Sequence, residues 1–537
     1  LTAVKREIGA LEEIGRFLTA KLGVRIEEDR AAELAALVAE RARKRSVRRT
    51  PEYLDILRTD ETELSAVVDR FMVGETHFFR QIDHFEALVD TVLPQAVRRA
   101  RRQARPVRLL SAGCATGEEA YSLAMVTRDA LGGKSVPSCE ILGVDICTRF
   151  LAQARGGKYR QWSLRSTPAD MLERYFDVRA GSVTLRKEAF EPVTFRRFNL
   201  TAESAETEDL WQPGCYDAIF LRNVIMYFTP EVSRAVIARA TRALTPDGFL
   251  FLGHAETLRG ISDRYHLLQH GDSFFYQRKD ESMAGRLTAQ NDGHDSRTES
   301  PKTPLELFVP NRQAGSAVHS TKSETDWVEN VRTAARKIER LSARARKAQP
   351  IGERYGCEGI GSSNAVATNS SATREAMHLF LGKRHQQALA LLRGLPEKAA
   401  VDPDVLTLEA VVLLDMGSVD AARRVCEALT RADELHASGR YLQALCCERL
   451  GDEDGAIREH RAALYLEPQS ALPHLHLGLL YKERGELKAA IRELKQAKEL
   501  LVREDATRIL LFGDGLTRRA LECLCDNALD ELLEMKR

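Results

Sequence analysis

The chain contains no run of about 18 apolar residues and no signal-type apolar stretch at its N-terminus, so neither a membrane span nor a secretory leader is expected. Its 10 cysteines are scattered among 537 residues without a CxxC pair, which excludes a disulfide framework and leaves no zinc site to expect. Neither sign of charge dominates: 79 Lys and Arg stand against 78 Asp and Glu, for a net charge of +1. Dedicated nucleic-acid binding is therefore not expected. These absences together describe a soluble, cytoplasmic, reduced protein without a metal. What is present is length, enough for about two to four domains.

Residues 1–95 read as helices, with apolar positions at helical spacing in AAELAALVAE and ELSAVVDRF. Within 96–280 the pattern changes to short apolar runs, VRLLSAG, CEILGVD, YDAIFLRN and GFLFLGH, alternating with helical stretches. That order predicts a largely parallel sheet covered on both faces, an α/β Rossmann-like domain. Alternation in GSVTLRKEAFEPVTFRRFN predicts a small antiparallel β insertion at about 164–198. Residues 281–370 are rich in Ser, Thr, Gly, Asn and charge and read as a disordered linker, with WVENVRTAARKIERLSARARK as a candidate basic helix.

Residues 371–537 contain a repeat. Ala422, Ala456 and Ala490 lie 34 residues apart, as do Gly417, Gly451 and Gly485. Leu477, Gly478, Tyr481, Ala490 and Ala497 match the tetratricopeptide pattern, and so do Ala444, Ala456, Ala463 and Pro468 one unit earlier. With a weaker unit around Ala388 and a divergent end, this predicts a capped all-α tetratricopeptide array, a protein-binding scaffold.

The chemistry concentrates in LLSAGCATGEEAYSLAM, residues 109–125: an apolar strand, a small-residue turn, then a helix. Such a turn lets backbone approach a nucleoside, in dehydrogenases and methyltransferases alike. Glu118 and Glu119 at the helix start would repel a pyrophosphate and suit a cationic ligand. Asp145 ends the second strand, where it can hold ribose hydroxyls or cap a helix. Arg222, Asn223 and Tyr227 follow the strand begun by Asp217 and should face the same crevice.

Together GETHFFR (74–80), SAGCATGEEAYSLAM, GVDI, FRRFNL, DAIFLRNVIMYF and FLGHAETL closely resemble the chemotaxis receptor glutamate O-methyltransferases of the CheR type, over residues 1–280. The resemblance implies transfer of methyl from S-adenosyl-L-methionine to glutamate carboxylates of methyl-accepting receptors, giving methyl esters and S-adenosylhomocysteine. It implies cofactor contacts from Gly74, Thr76, Arg80, Glu119, Asp145, Asn199, Leu200, Arg222 and Asn223, with Glu118 the alternative to Glu119. Arg80 and Tyr227 would lie nearest the reactive methyl. Two positions depart from the usual pattern: Gly74, where Asn is common, and Ala115, where methyltransferases at large have Gly.

A glutamate carboxylate, with a pKa of about 4.3, is already a nucleophile at neutral pH, so the reaction requires positioning and no general base. His77 and His254 are accordingly expected to be structural. By resemblance the N-terminal domain would dock the acidic receptor helices, and RARKRSVRR (41–49), six basic residues in nine, is the candidate surface. RRARRQAR (98–105) reads as a solvated helix end. The short AGS turn between DVR and VTLRKE suggests a member that needs no receptor tether. The array would bind a protein partner or regulate the enzyme, and recruitment to receptor arrays is a further option. A different methyl acceptor and a non-catalytic scaffold are the two rival readings.

Overall fold

A computed structural model describes residues 2–26, 28–132, 138–179, 182–202, 209–280, 366–513 and 516–535. The expected linker falls outside the described residues up to residue 365, as do its candidate basic helix and Ala180 and Gly181 of the short turn.

Four helices come first: α1 (Thr2–Leu22), α2 (Glu28–Lys44), α3 (Thr50–Thr59) and α4 (Glu61–Phe71). Each buries one stripe, such as Leu64, Val67, Val68 and Phe71 of α4, at the spacing that puts apolar side chains on one helical face. Asp60 starts α4 by accepting the Thr62 and Glu63 N–H groups at 3.0 and 3.1 Å. The basic run of this domain is largely committed internally. Arg41 grips the buried Glu63 at 2.7 Å, Arg45 pairs with Asp60 at 2.7 Å, Lys44 with Glu40 at 2.8 Å, and Arg49 with Glu52. Arg43 and Arg48 are exposed.

From α5 (Ile82–Ala87) a π turn leads into α6 (Leu93–Arg102) and the sheet. The strands are β1 (Val107–Ala112), β2 (Cys139–Asp145), β3 (Lys158–Arg160), β4 (Phe176–Arg179), β5 (Ser182–Leu185), β6 (Val193–Arg197), β7 (Tyr216–Phe220), β8 (Leu244–Phe251), β9 (Tyr265–His270) and β10 (Ser273–Arg278). Among the helices between them are α7 (Glu118–Leu131), α8 (Thr148–Gly156) and α9 (Pro230–Ala243). The main sheet runs β6-β2-β1-β7-β8-β10-β9, parallel from β6 to β8, with β10 antiparallel to both of its neighbours, β8 and β9. The order of strand addition reverses between β1 and β7, the switch point at which open α/β sheets hold ligands.

Two expectations change here. The antiparallel insertion is the small sheet β3-β5-β4, while VTFRR forms β6 and pairs in parallel with β2. As the edge of the main sheet β6 is only half covered, so it carries the alternation of an exposed antiparallel strand. The second basic run is not merely a solvated end. Arg99 and Arg105 reach the fully buried Asp217 of β7 at 2.7–2.9 Å, and the Arg108 N–H adds a bond at 3.1 Å. A buried carboxylate needs such partners, and α6 is thereby tied to the sheet.

The C-terminal part is all helical: α10 (Val366–Leu381), α11 (His385–Arg393), α12 (Pro403–Asp415), α13 (Val419–Ala432), α14 (Ala437–Leu450), α15 (Glu453–Leu466), α16 (Ala471–Glu483), α17 (Leu487–Leu501), α18 (Ala506–Phe512) and α19 (Arg518–Met535). The repeat alanines Ala422, Ala456 and Ala490 are fully buried, and the repeat glycines end the first helix of each pair. A Cβ on Gly478 would stand 2.6 Å from Leu494, so close helix pairing requires the small residue. The array packs directly on the α/β domain. Tyr465 stacks on Phe274 of β10 at 4.9 Å, and Leu435, Ala437, Ala462 and Leu466 join one core with Leu258, Tyr265 and Tyr276. Ion pairs rim this contact: Arg259 to Glu467 at 3.1 Å, His266 to Glu434 at 2.8 Å, and Arg461 to Asp272.

Candidate active site

Beyond the carboxyl ends of β1, β2 and β7 lies a cavity of about 500 Å³. Of the residues named from the sequence for the cofactor and the acceptor, its lining includes all but Glu118: Gly74, Thr76 and Arg80 from the loop before α5, Glu119 from α7, Asp145 from β2, Asn199 and Leu200 after β6, and Arg222, Asn223 and Tyr227 after β7. Leu22, Val24 and Arg30 of the N-terminal helical domain complete the wall.

The turn after β1 is shaped by Gly113 at φ +77°, where a Cβ would fall 2.5 Å from Val224. Ala115 follows at φ +46°, a left-handed conformation that disfavours a side chain by about 1 kcal/mol. Its N–H donates to Asp145 Oδ2 at 2.9 Å, which holds the strained residue in place. The other Asp145 oxygen accepts the Cys147 N–H at 2.8 Å. Asp145 therefore braces the turn before α8, whose N-cap is Cys147, and each of its oxygens keeps a second lone pair. Burial pushes its pKa upward against the pull of those backbone bonds.

The two adjacent carboxylates separate by function of helix face. Glu119 looks into the cavity, accepting Ser111 Oγ at 2.7 Å and the Arg222 guanidinium at 3.1 Å. Glu118 points away, buried on Thr116 Oγ1 at 2.6 Å and Ser163 Oγ at 3.3 Å, with its pKa raised by burial. Only one of the two acids thus faces the cavity, and it is paired with Arg222. One acid paired with a cation, in place of two free acids, opposes a pyrophosphate less than the sequence alone implies.

Arg222 is buried beneath the cavity, donating also to Gln81 Oε1 and to the Arg80 carbonyl. Arg80 itself donates to the Glu75 carbonyl at 3.1 Å. Asn199 spends its side chain on structure: the amide donates to the Lys21 carbonyl at 3.1 Å and accepts from Thr201 at 2.9 and 3.0 Å. The Leu200 side chain is left as the apolar surface there. Gly74 is explained by Phe150, whose ring stands 2.4 Å from where a Cβ would be. His77 contacts Arg165 at 2.6 Å, and burial together with that cation brings its pKa down to about 4.

Glu256 was not singled out, although its motif FLGHAETL was. Its buried carboxylate accepts the N–H groups of Gly253, Asn223 and Val224 at 2.7 Å and of Met226 at 3.2 Å. Asn223 needs the support, since it sits at φ +58°. Position in a motif was the only signal; which backbone groups converge on a carboxylate is not written in sequence. On the other side, Val24 bridges Phe228, and the Arg25 N–H donates to the Tyr227 carbonyl at 2.8 Å.

The lining fits a nucleoside that carries a free amino-acid group. Asp145 offers acceptors for a diol, Glu119 an anion for an ammonium, and the Arg80–Arg222 side cations for a carboxylate. This sheet order with this crevice defines an S-adenosylmethionine-dependent methyltransferase. The family model for the CheR methyltransferase, SAM binding domain, matches residues 74–273. Chemotaxis protein methyltransferase 2 of Vibrio cholerae is 34% identical over 230 residues, 42% of this chain and 78% of that protein. An uncharacterized 104.1 kDa protein of Rhodobacter capsulatus is 33% identical over 231 residues, 42% of this chain but 23% of that protein. The probable biofilm formation methyltransferase WspC of Pseudomonas putida is 26% identical over 482 residues, 90% of this chain and 96% of that one. The chain belongs to the CheR family of chemotaxis protein methyltransferases. Among the described residues no helix is long and apolar enough to cross a membrane.

Proposed function

We propose that the protein methylates glutamate side chains of a methyl-accepting receptor, forming methyl esters. The observation that carries this reading is the grouping of Arg80 and the half-exposed Tyr227 on the same cavity that Glu119, Asp145 and Arg222 line. Bound S-adenosylmethionine would supply an electrophilic methyl group. Asp145 would hold its ribose hydroxyls, Glu119 its amino group, Gly74 and Thr76 the loop beside it, and Asn199 and Leu200 the adenine side. Arg222 and Asn223 would form the floor.

Arg80 and Tyr227 would then act on the acceptor. Arg80 can orient a carboxylate through charge-assisted hydrogen bonds, and Tyr227 closes the exposed side against water. No proton has to be removed, which agrees with a His77 held neutral at pH 7. Receptor docking would rest on Arg43 and Arg48, the members of the first basic run left exposed without a carboxylate bond of their own among the described residues, more than on the run as a whole. The relative that shares nearly the whole chain carries a biofilm name, so receptors outside motility belong among the candidates. The array's α14–α15 side is spent on its own methyltransferase domain, which supports a regulatory or scaffolding role and leaves the remaining surface for a protein ligand.

The full chain, a receptor cytoplasmic fragment and methyl-labelled cofactor provide the test. Label released as volatile methanol by alkali, and lost in Asp145→Ala, is the expected result. Alkali-stable label would replace the ester reading with another acceptor chemistry, and absence of transfer with absence of S-adenosylhomocysteine binding would leave only a scaffold.

A further inference from the structure

The tetratricopeptide array contains a polar cluster where its own repeat calls for apolar side chains. Counting in steps of 34, Leu408 and Leu442 are followed by His476, and Cys426 is followed by His460 and then Leu494. At a third position Leu414 is followed by Glu448 and Lys482. The equivalents Leu408, Leu442, Leu414, Cys426 and Leu494 are all buried core residues. Three of these departures, Glu448, His460 and His476, fall at one junction between α14, α15 and α16 and their side chains meet, whereas Lys482 pairs with Glu531. His460 Nε2 contacts Glu448 Oε1, His476 Nδ1 lies 3.0 Å from both Glu448 oxygens, and the donor atoms all lie within 4.8 Å of one another.

Hydrogen-bond bookkeeping around His476 points further. Tyr441 Oη has one hydrogen and donates it to the Phe512 carbonyl at 3.2 Å. Its 3.2 Å contact with His476 Nε2 must then be accepted from an Nε2–H. A neutral His476 with its proton on Nε2 turns a bare Nδ1 lone pair toward a carboxylate. Two lone-pair atoms at hydrogen-bond distance repel unless a cation lies between them. His460 is completely buried, and its Nε2 meets the Glu448 carboxylate out of contact with bulk water. A second imidazole nitrogen anchored by a hydroxyl, as at His476, is the usual support of a metal-bound histidine.

We propose that Glu448, His460 and His476 bind one divalent transition metal ion of the zinc class, with a fourth position left to water. Two imidazoles and a carboxylate suit zinc, and both Glu448 and His476 retain solvent exposure through which the ion can arrive. The ion would cross-link the second and third repeat units. It would also fix α15, the helix whose Tyr465 stacks on the methyltransferase domain.

The full chain is stripped with chelator, reloaded with ZnCl2, desalted and assayed for metal, alongside His460→Leu and His476→Leu. Each variant restores the residue type of a neighbouring repeat, so the helical fold should survive, as circular dichroism would report. About one zinc per wild-type chain, reduced at least tenfold in each variant, is expected, with zinc raising the melting temperature of the wild type alone. Wild type that retains no stoichiometric zinc overturns the proposal whatever the variants do. Equal zinc in wild type and in either folded variant does the same by locating the ion elsewhere, and leaves the cluster as a proton-held ion triad.

Discussion

Four backbone N–H groups end on the Glu256 carboxylate, three of them from the turn that carries Asn223 and Tyr227. Glu256→Ala would leave these donors unsatisfied in a buried place, a cost on the order of 3–5 kcal/mol. We expect a lower melting temperature and at least a tenfold loss in S-adenosylhomocysteine affinity by calorimetry. Glu256→Gln, which keeps an acceptor oxygen, should recover part of both. Unchanged affinity in the Ala variant would mean that the turn holds its shape without Glu256. His77 gives a pH dependence of known sign. Its folded pKa of about 4 lies below the ordinary 6.5, so as pH falls the unfolded chain takes up a proton first. This contribution is fully present above 6.5 and is lost progressively between 6.5 and 4. Replacing His77 by Asn should flatten that part of a stability–pH curve, measured by denaturant unfolding at each pH.

Elements explain why some of the site could be read in advance and some could not. The loop at Gly74 and helix α8 interlock through Phe150. Gly74→Asn alone should weaken S-adenosylhomocysteine binding by forcing the ring aside. Added to Phe150→Ala it should cost much less, a coupling readable from a double-mutant cycle. The strand ends and the glycine turn were legible because strand–turn–helix order and motif spacing determine which residues converge on the switch point. What adjacent residues do there depends on the direction of each side chain. Glu118 and Glu119 are neighbours in sequence and face different surroundings on α7. Asn199 reached the expected place but with its amide already engaged by Lys21 and Thr201. Partners far away in the chain, Glu63 for Arg41 and Asp217 for Arg105, also turned apparent surface charge into internal support.

At the scale of the molecule, the array and the methyltransferase domain share one apolar core rimmed by ion pairs. Tyr465→Ala removes the ring stacked on Phe274, a truncation of the size that costs about 3–5 kcal/mol at a well-packed site. Amide hydrogen exchange should then quicken across β9 and β10 while the glycine turn after β1 stays protected. Exchange unaltered in that hairpin would show that the contact is dispensable. Exchanging the partners, with Asp272→Arg and Arg461→Asp together, should restore more docking than either change alone.

The short bridge between Val24 and Phe228 gives the N-terminal helices a part in timing. Because Tyr227 is held by the Arg25 N–H, anything that orders α1 and the segment after it also orders one wall of the cavity. Coupling of this kind is reciprocal: a ligand in the cavity must tighten the grip of the N-terminal domain on its partner by the same factor by which that partner tightens the ligand. The spent cofactor and the protein substrate would then hold each other in place, and loss of either would weaken the affinity for the other by that same factor.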